Sequence, residues 1–147
     1  MFENNLKYCR EELEMTQAEL GFIFGVSDAS VRSWENAHDP MPLIKLIKFC
    51  NLYNYSMDFV CGLTRQNTKQ KGTLNGNKEL IGFRLKKIRE NLNLTQQKLA
   101  DECKISQTTY SGYETGKYLI NTANLYYICK TYNISMDTIC LSNCEEI

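Results

Sequence analysis

Seven cysteines and one histidine are the residues of this chain best suited to metal, redox or nucleophilic chemistry. Their spacing argues against all three. No Cys-x-x-Cys pair occurs, His38 stands alone, and no Ser/His/Asp or Cys/His constellation can be traced. A glycine-rich phosphate loop and paired acids at metal spacing are missing as well. We expect no enzymatic activity, no cofactor and no metal. The cysteines read as core thiols. When the chain is laid on itself with a shift of 79 residues, Cys50 meets Cys129 and Cys61 meets Cys140, while Cys9 meets Ile88 and Phe24 meets Cys103. A position that exchanges Cys for Ile or Phe is apolar, and a free thiol buries well. Cys144, in the tail, is the expected exposed thiol.

The same shift, without a gap, returns 18 identities over the 58 positions from Leu6 to Leu63. They include Arg10-Glu11 and Arg89-Glu90, Thr16-Gln17 and Thr95-Gln96, and Ser56-Met57-Asp58 and Ser135-Met136-Asp137. The period is too long for a solenoid unit, so the chain holds two copies of one small domain. We place domain 1 at residues 1–63, a flexible polar linker at 64–80, and domain 2 at 81–147. A linker of about 15 such residues has a typical end-to-end distance of roughly 20 Å and a stretched reach of about 50 Å.

Each copy predicts five short helices, so the fold class is all-α. The first spans Leu6–Leu13 or Leu85–Leu92, with apolar residues at spacings of three and four. Thr16 and Thr95 are N-caps of the second; Thr16-Gln17-Ala18-Glu19 is a full capping-box pattern, whereas Thr95-Gln96-Gln97-Lys98 keeps only the cap. Ser27 and Ser106 cap the third helix, after a turn so short that helices two and three must cross steeply. A fourth follows Pro42 to Tyr53, and Ser56 and Ser135 cap a fifth.

Two stretches carry a recognisable pattern. Domain 2 reads Thr95-Gln96-Gln97-Lys98-Leu99-Ala100, then Ile105-Ser106-Gln107-Thr108-Thr109-Tyr110-Ser111-Gly112-Tyr113-Glu114-Thr115-Gly116-Lys117. Domain 1 reads Thr16-Gln17-Ala18-Glu19-Leu20-Gly21, then Val26-Ser27-Asp28-Ala29-Ser30-Val31-Arg32-Ser33-Trp34-Glu35-Asn36. Both resemble the Cro/CI-type (XRE) helix-turn-helix family of phage and bacterial repressors, and the resemblance extends over all five helices of each copy. It implies two five-helix, lambda-repressor-like domains in tandem.

The resemblance also implies roles for individual residues. Gln17 and Gln96 open the second helix, where the family contacts a phosphate and where helix amides favour an anion. Ser106, Gln107 and Thr108 stand at the start of the recognition helix, facing base edges. A glutamine there can bond adenine N6 and N7 together, and a threonine methyl can meet thymine. Ser111 lies one turn further on the same face, and Lys117 suits a phosphate. Arg10 with Glu35, and Arg89 with Glu114, resemble a structural ion pair linking the first and third helices. Trp34 and Tyr113 resemble the core-facing aromatic beside that glutamate.

Domain 1 departs from domain 2 at its reading positions. Asp28 replaces the glutamine and Ala29 the threonine; a carboxylate can accept from cytosine N4 but is repelled by phosphate. Asp28 also suits the helix N-terminus as a cap. Arg32 and Asn36 remain able to touch DNA. Ala37 stands where domain 2 has Gly116, so the usual glycine stop is lost. Charge divides unevenly too: residues 1–63 carry five Lys/Arg and nine Asp/Glu, a net of −4, although the whole chain is neutral.

The expected function is a sequence-specific DNA-binding transcription regulator, a repressor, using its tandem domains as a pseudo-dimer on two half-sites. Half-sites on one DNA face lie about 34 Å apart, within the linker's reach. The expected partners are a double-stranded DNA operator and a second copy of the chain in a homodimer. The alternative is a protein-binding inhibitor or interaction module in which acidic domain 1 docks on a protein partner, and which also autoregulates its own gene. Residues 1–5 have neither the basic region nor the apolar stretch of a signal peptide, and no stretch of 18 apolar residues occurs; with Ser142–Ile147 after the last predicted helix, we expect no effector domain. We therefore expect a cytoplasmic protein with no membrane partner.

Overall fold

The computed structural model of the chain describes residues 3–68 and 72–142. Cys144 lies outside the described residues. The chain forms two compact units, Met1–Lys69 and Gln70–Ile147. In the first, the described helices are α1 (Leu6–Glu12), α2 (Gln17–Phe24), α3 (Asp28–Glu35), α4 (Leu43–Tyr53) and α5 (Met57–Val60). In the second they are α6 (Lys78–Asn91), α7 (Gln96–Cys103), α8 (Gln107–Glu114), α9 (Thr122–Tyr132) and α10 (Met136–Cys140).

Local sequence accounts for most helix ends. The Thr16 hydroxyl accepts from the Glu19 amide and the Glu19 carboxylate accepts from the Thr16 amide, both at 3.0 Å, closing a capping box. Thr95 accepts from the Lys98 amide without the reciprocal bond. Ser27 and Ser106 accept from the amides of Ser30 and Thr109 at 3.2 and 3.1 Å. The turns that follow α2 and α7 each need one left-handed residue. Gly25 adopts it at φ 67°, but domain 2 uses Lys104, at φ 57°. Behind these turns sits one core per unit: Leu6, Leu20, Val31, Leu46, Phe49 and Met57 in the first, and Leu85, Leu99, Tyr110, Leu125, Ile128 and Ile139 in the second. Tyr126 on α9 and Ile120 just before that helix are buried as well.

The two units differ most at their first helix. The repeat predicts a start at Leu85; α6 begins at Lys78 and is 14 residues long against seven for α1. Asn77 caps it by accepting from the Leu80 amide at 2.9 Å. The added turns pack because Gly82 has no side chain: a Cβ there would lie 2.2 Å from the Tyr113 carbonyl oxygen. Two residues on, the guanidinium of Arg84 is buried and donates to the carbonyls of Ile139 and Leu141 at 3.0 and 2.5 Å. This clamps the last helix of the unit onto its first, as Asn5 does in domain 1 by donating to the Phe59 carbonyl at 2.8 Å.

Both described ends of the 64–80 segment are tied to their own units. The Asn67 side chain accepts from the Ser56 amide at 2.7 Å and donates to the Asn54 carbonyl at 3.0 Å. Leu74 is buried and forms an isolated antiparallel bridge with Leu141.

Candidate nucleic-acid interface

In domain 2 four side chains form a chain from the interior to the surface. Arg89 on α6 makes a two-pronged contact with Glu114 at the end of α8, Nε to Oε2 at 2.7 Å and Nη2 to Oε1 at 3.1 Å. Its third arm donates to the Leu94 carbonyl at 2.9 Å. Such a fork is stronger and more directional than a point-charge contact. The same Glu114 carboxylate accepts from Gln96 Nε2 at 3.0 Å, and Gln96 Oε1 accepts from Gln107 Nε2 at 2.6 Å. Gln96 is the first residue of α7 and Gln107 the first of α8. Burial would raise the Glu114 carboxyl, but the hydrogen bonds from Arg89 and Gln96, with the Arg89 charge, outweigh it and hold it below its usual range.

The remaining domain 2 candidates lie on α8 or flank it in sequence. Gln107 and Thr108 are exposed, and Ser111 is half-buried one turn along. Ser106 is committed to capping, its hydroxyl also 2.9 Å from that of Thr109. Lys117 is exposed, with its ammonium 5.2 Å from the centre of the Tyr118 ring. Tyr113 is buried and its hydroxyl accepts from Asn124 at 3.0 Å.

Domain 1 repeats the inner part of the chain and drops the outer. Arg10 reaches Glu35 at 2.6 and 3.1 Å and the Met15 carbonyl at 2.7 Å. Gln17 donates to Glu35 at 3.1 Å. Asp28, where the second glutamine would stand, turns back on its own helix. It accepts from the Ala29 amide at 3.0 Å and lies 3.5 Å from Arg32. Both side chains of that pair are more than half exposed, so the contact contributes little. Ala29 and Asn36 are exposed, Asn36 as the residue closing α3. Trp34 is buried. Ala37 takes the left-handed conformation at φ 60°, matching Gly116 at φ 77°, so the stop survives without its glycine.

The six described cysteines are buried. Burial, with the Glu12 charge adding to it, pushes the Cys9 thiol up to about 12; burial likewise pushes Cys103 to about 11. Neither supplies a thiolate nucleophile near neutrality. Among the described residues no group of three or more His, Cys, Asp or Glu could hold a metal ion. No helix among them is long and apolar enough to cross a membrane.

Two features of domain 2 leave no signal in the sequence. Nothing in the local sequence marks Arg84 as buried, because its carbonyl partners are more than fifty residues away. Nothing in the local sequence marks the seat of Tyr118, because that seat is a glycine in another element: a Cβ on Gly112 would lie 2.4 Å from its ring.

Two five-helix units, each with its second and third helices joined by a tight turn and locked by an Arg-Glu-Gln cluster, define a tandem Cro/CI-type (XRE) helix-turn-helix protein. The model of the family described as "Helix-turn-helix" matches twice, at residues 6–60 and 85–139, and the chain belongs to that family. Among curated proteins it is similar to the cryptic phage CTXphi transcriptional repressor RstR of Vibrio cholerae serotype O1, with 42% identity over 60 residues. That stretch is 41% of this chain and 54% of the relative, so the likeness spans about half the length of the curated protein it matches.

Proposed function

We infer that this protein is a DNA-binding transcription regulator, acting as a repressor, whose domain 2 inserts α8 into the major groove of an operator. The observation that carries this reading is the Gln107–Gln96 hydrogen bond at the exposed tip of α8. It holds a base-reading amide in one orientation before DNA arrives, through a chain anchored on a buried ion pair. The free donor and acceptor positions of Gln107 suit adenine N7 and N6, while Gln96 stands at a helix N-terminus suited to a phosphate. Similarity to a phage transcriptional repressor supports the same reading.

The tandem arrangement makes the chain a pseudo-dimer on two unequal half-sites. Domain 1 has the scaffold but presents Asp28, Ala29 and Arg32 at its tip, so its half-site differs in sequence and is the weaker. Linking a weak reader to a stronger one raises affinity through effective concentration. The test is selection of bound duplexes from a random pool with wild type, Gln107→Ala and Asp28→Ala. An enriched two-part site, with one half blurred by Gln107→Ala and the other altered by Asp28→Ala, is the expected result. No enriched sequence at low salt sinks the reading.

One observation favours the alternative, docking of a protein on acidic domain 1. Phe22, Ile44 and Leu52 are exposed at 87%, 53% and 53%, where domain 2 has Asp101, Ala123 and Thr131. Pull-down with domain 1 residues changed to their domain 2 counterparts separates a protein-binding face from incidental exposure.

A further inference from the structure

The geometry points to Tyr118 as a further DNA contact, a phenol hydroxyl that donates to a backbone phosphate at the far end of the recognition helix. The inference rests on the DNA-binding reading of domain 2 and adds a residue to it. Gly112 lies one turn beyond Thr108 on α8, so the stripe that begins with a base-facing candidate runs directly into Gly112. Gly112 is buried although it sits on that stripe, because the Tyr118 ring lies on it. A Cβ there would meet two ring atoms at 2.4 and 2.7 Å. The chain is turned to this position by its own backbone, the amides of Lys117 and Tyr118 both donating to the Gly112 carbonyl at 2.9 and 3.1 Å.

Tyr118 is nevertheless 47% exposed, and the Lys117 ammonium stands 5.2 Å from the centre of its ring. An aromatic plate with a cation beside it, lying on the outward stripe of a recognition helix, presents one neutral and one charged donor together. That pair suits a phosphate, which takes hydrogen bonds from tyrosine as well as from lysine. Domain 1 carries a different pair at the same two positions. Ser33 stands for Gly112 and Asp39 for Tyr118, and the Ser33 hydroxyl donates to the Asp39 carboxylate at 2.8 Å. A carboxylate there repels phosphate, so this contact belongs to domain 2 alone.

The experiment measures affinity and salt dependence of the full chain on the duplex that wild type enriches and on a random duplex of equal length. Tyr118→Phe keeps the ring on Gly112 and removes only the hydroxyl. It should weaken binding about fivefold on both duplexes and leave the slope of log affinity against log salt unchanged, since no charge is lost. Lys117→Ala should lower that slope by about one. Gly112→Ala, which displaces the ring without touching the phenol, should lose affinity to the extent that Tyr118→Phe does or more. Tyr118→Phe binding like wild type, with Gln107→Ala still impaired, overturns the inference and leaves the DNA-binding reading standing. Wild type binding no duplex overturns both.

Discussion

Gln107 donates to Gln96 at 2.6 Å, joining the first residue of the recognition helix to the first residue of the helix before it. Behind the pair lie Glu114 and Arg89, so the tip of α8 is braced from within the domain. Gln17 in domain 1 has the same inner partner, Glu35, but Asp28 is occupied with its own helix amide and Arg32. One domain thus presents a pre-set amide pair and the other a single amide beside a carboxylate.

Cutting the brace costs stability before it costs recognition. The side chains of Arg89 and Glu114 are 14% and 2% exposed, and removing one partner of a buried pair leaves an uncompensated charge. Glu114→Ala should destabilise domain 2 by about 3 kcal/mol, read as a lower urea midpoint. A change confined to DNA affinity contradicts the structural role.

Acid should unfold domain 2 through the same carboxylate. Glu114 is held below its ordinary value of 4.5 in the folded protein, so the native state binds its proton less readily than the unfolded chain. Its contribution is present above about pH 4.5 and is lost as pH falls through the lower folded value. Thermal melts from pH 6 to pH 3 should show this loss, and Glu114→Gln should flatten that part of the curve.

The helix stop of domain 1 carries backbone strain that a single substitution relieves. Ala37 sits at φ 60°, a conformation that costs a residue with a Cβ about 1 kcal/mol or more. Ala37→Gly should raise domain 1 stability by about 1 kcal/mol less the added entropy of the unfolded chain. Gly116→Ala should cost domain 2 more than this gain, because its Cβ would also lie 3.0 Å from the Glu79 Cα. Paired melting curves of the two variants decide the matter.

Gly82 is where the added turns of α6 approach the end of α8 most closely. A Cβ there, 2.2 Å from the Tyr113 carbonyl, must push the helices apart. Gly82→Ala should destabilise domain 2 by about 1–3 kcal/mol. Wild-type stability in this variant would show that the added turns of α6 are not seated on α8.

What could be read in the sequence was local. Thr16, Ser27 and Ser56 mark helix starts because a cap hydroxyl bonds an amide two or three residues ahead, and the same holds for Thr95, Ser106 and Ser135. The inner Arg-Glu pairs were legible because the same two residues recur at one spacing in both copies. That recurrence hides the extra turns of α6, since it aligns Leu85 with Leu6 although Asn77 supplies a cap of its own. Arg84 and Tyr118 depend on a distant pair of carbonyls and on the absent side chain of Gly112, and such partners leave no trace in spacing. Ala37 misled in the other direction: a missing glycine suggested a missing stop, and the surrounding turn imposes the conformation anyway.

The Arg-Glu-Gln cluster is built twice into one polypeptide, while the tips it supports are encoded separately. In a homodimer every substitution at a reading position is made in both subunits, so both half-sites must change together and the target stays symmetric. Here a change at Asp28 alters one tip and leaves Gln107 untouched. Under the pseudo-dimer reading proposed above, the two heads can drift apart one residue at a time, and a DNA target bound by both is freed from any need to read the same in both directions.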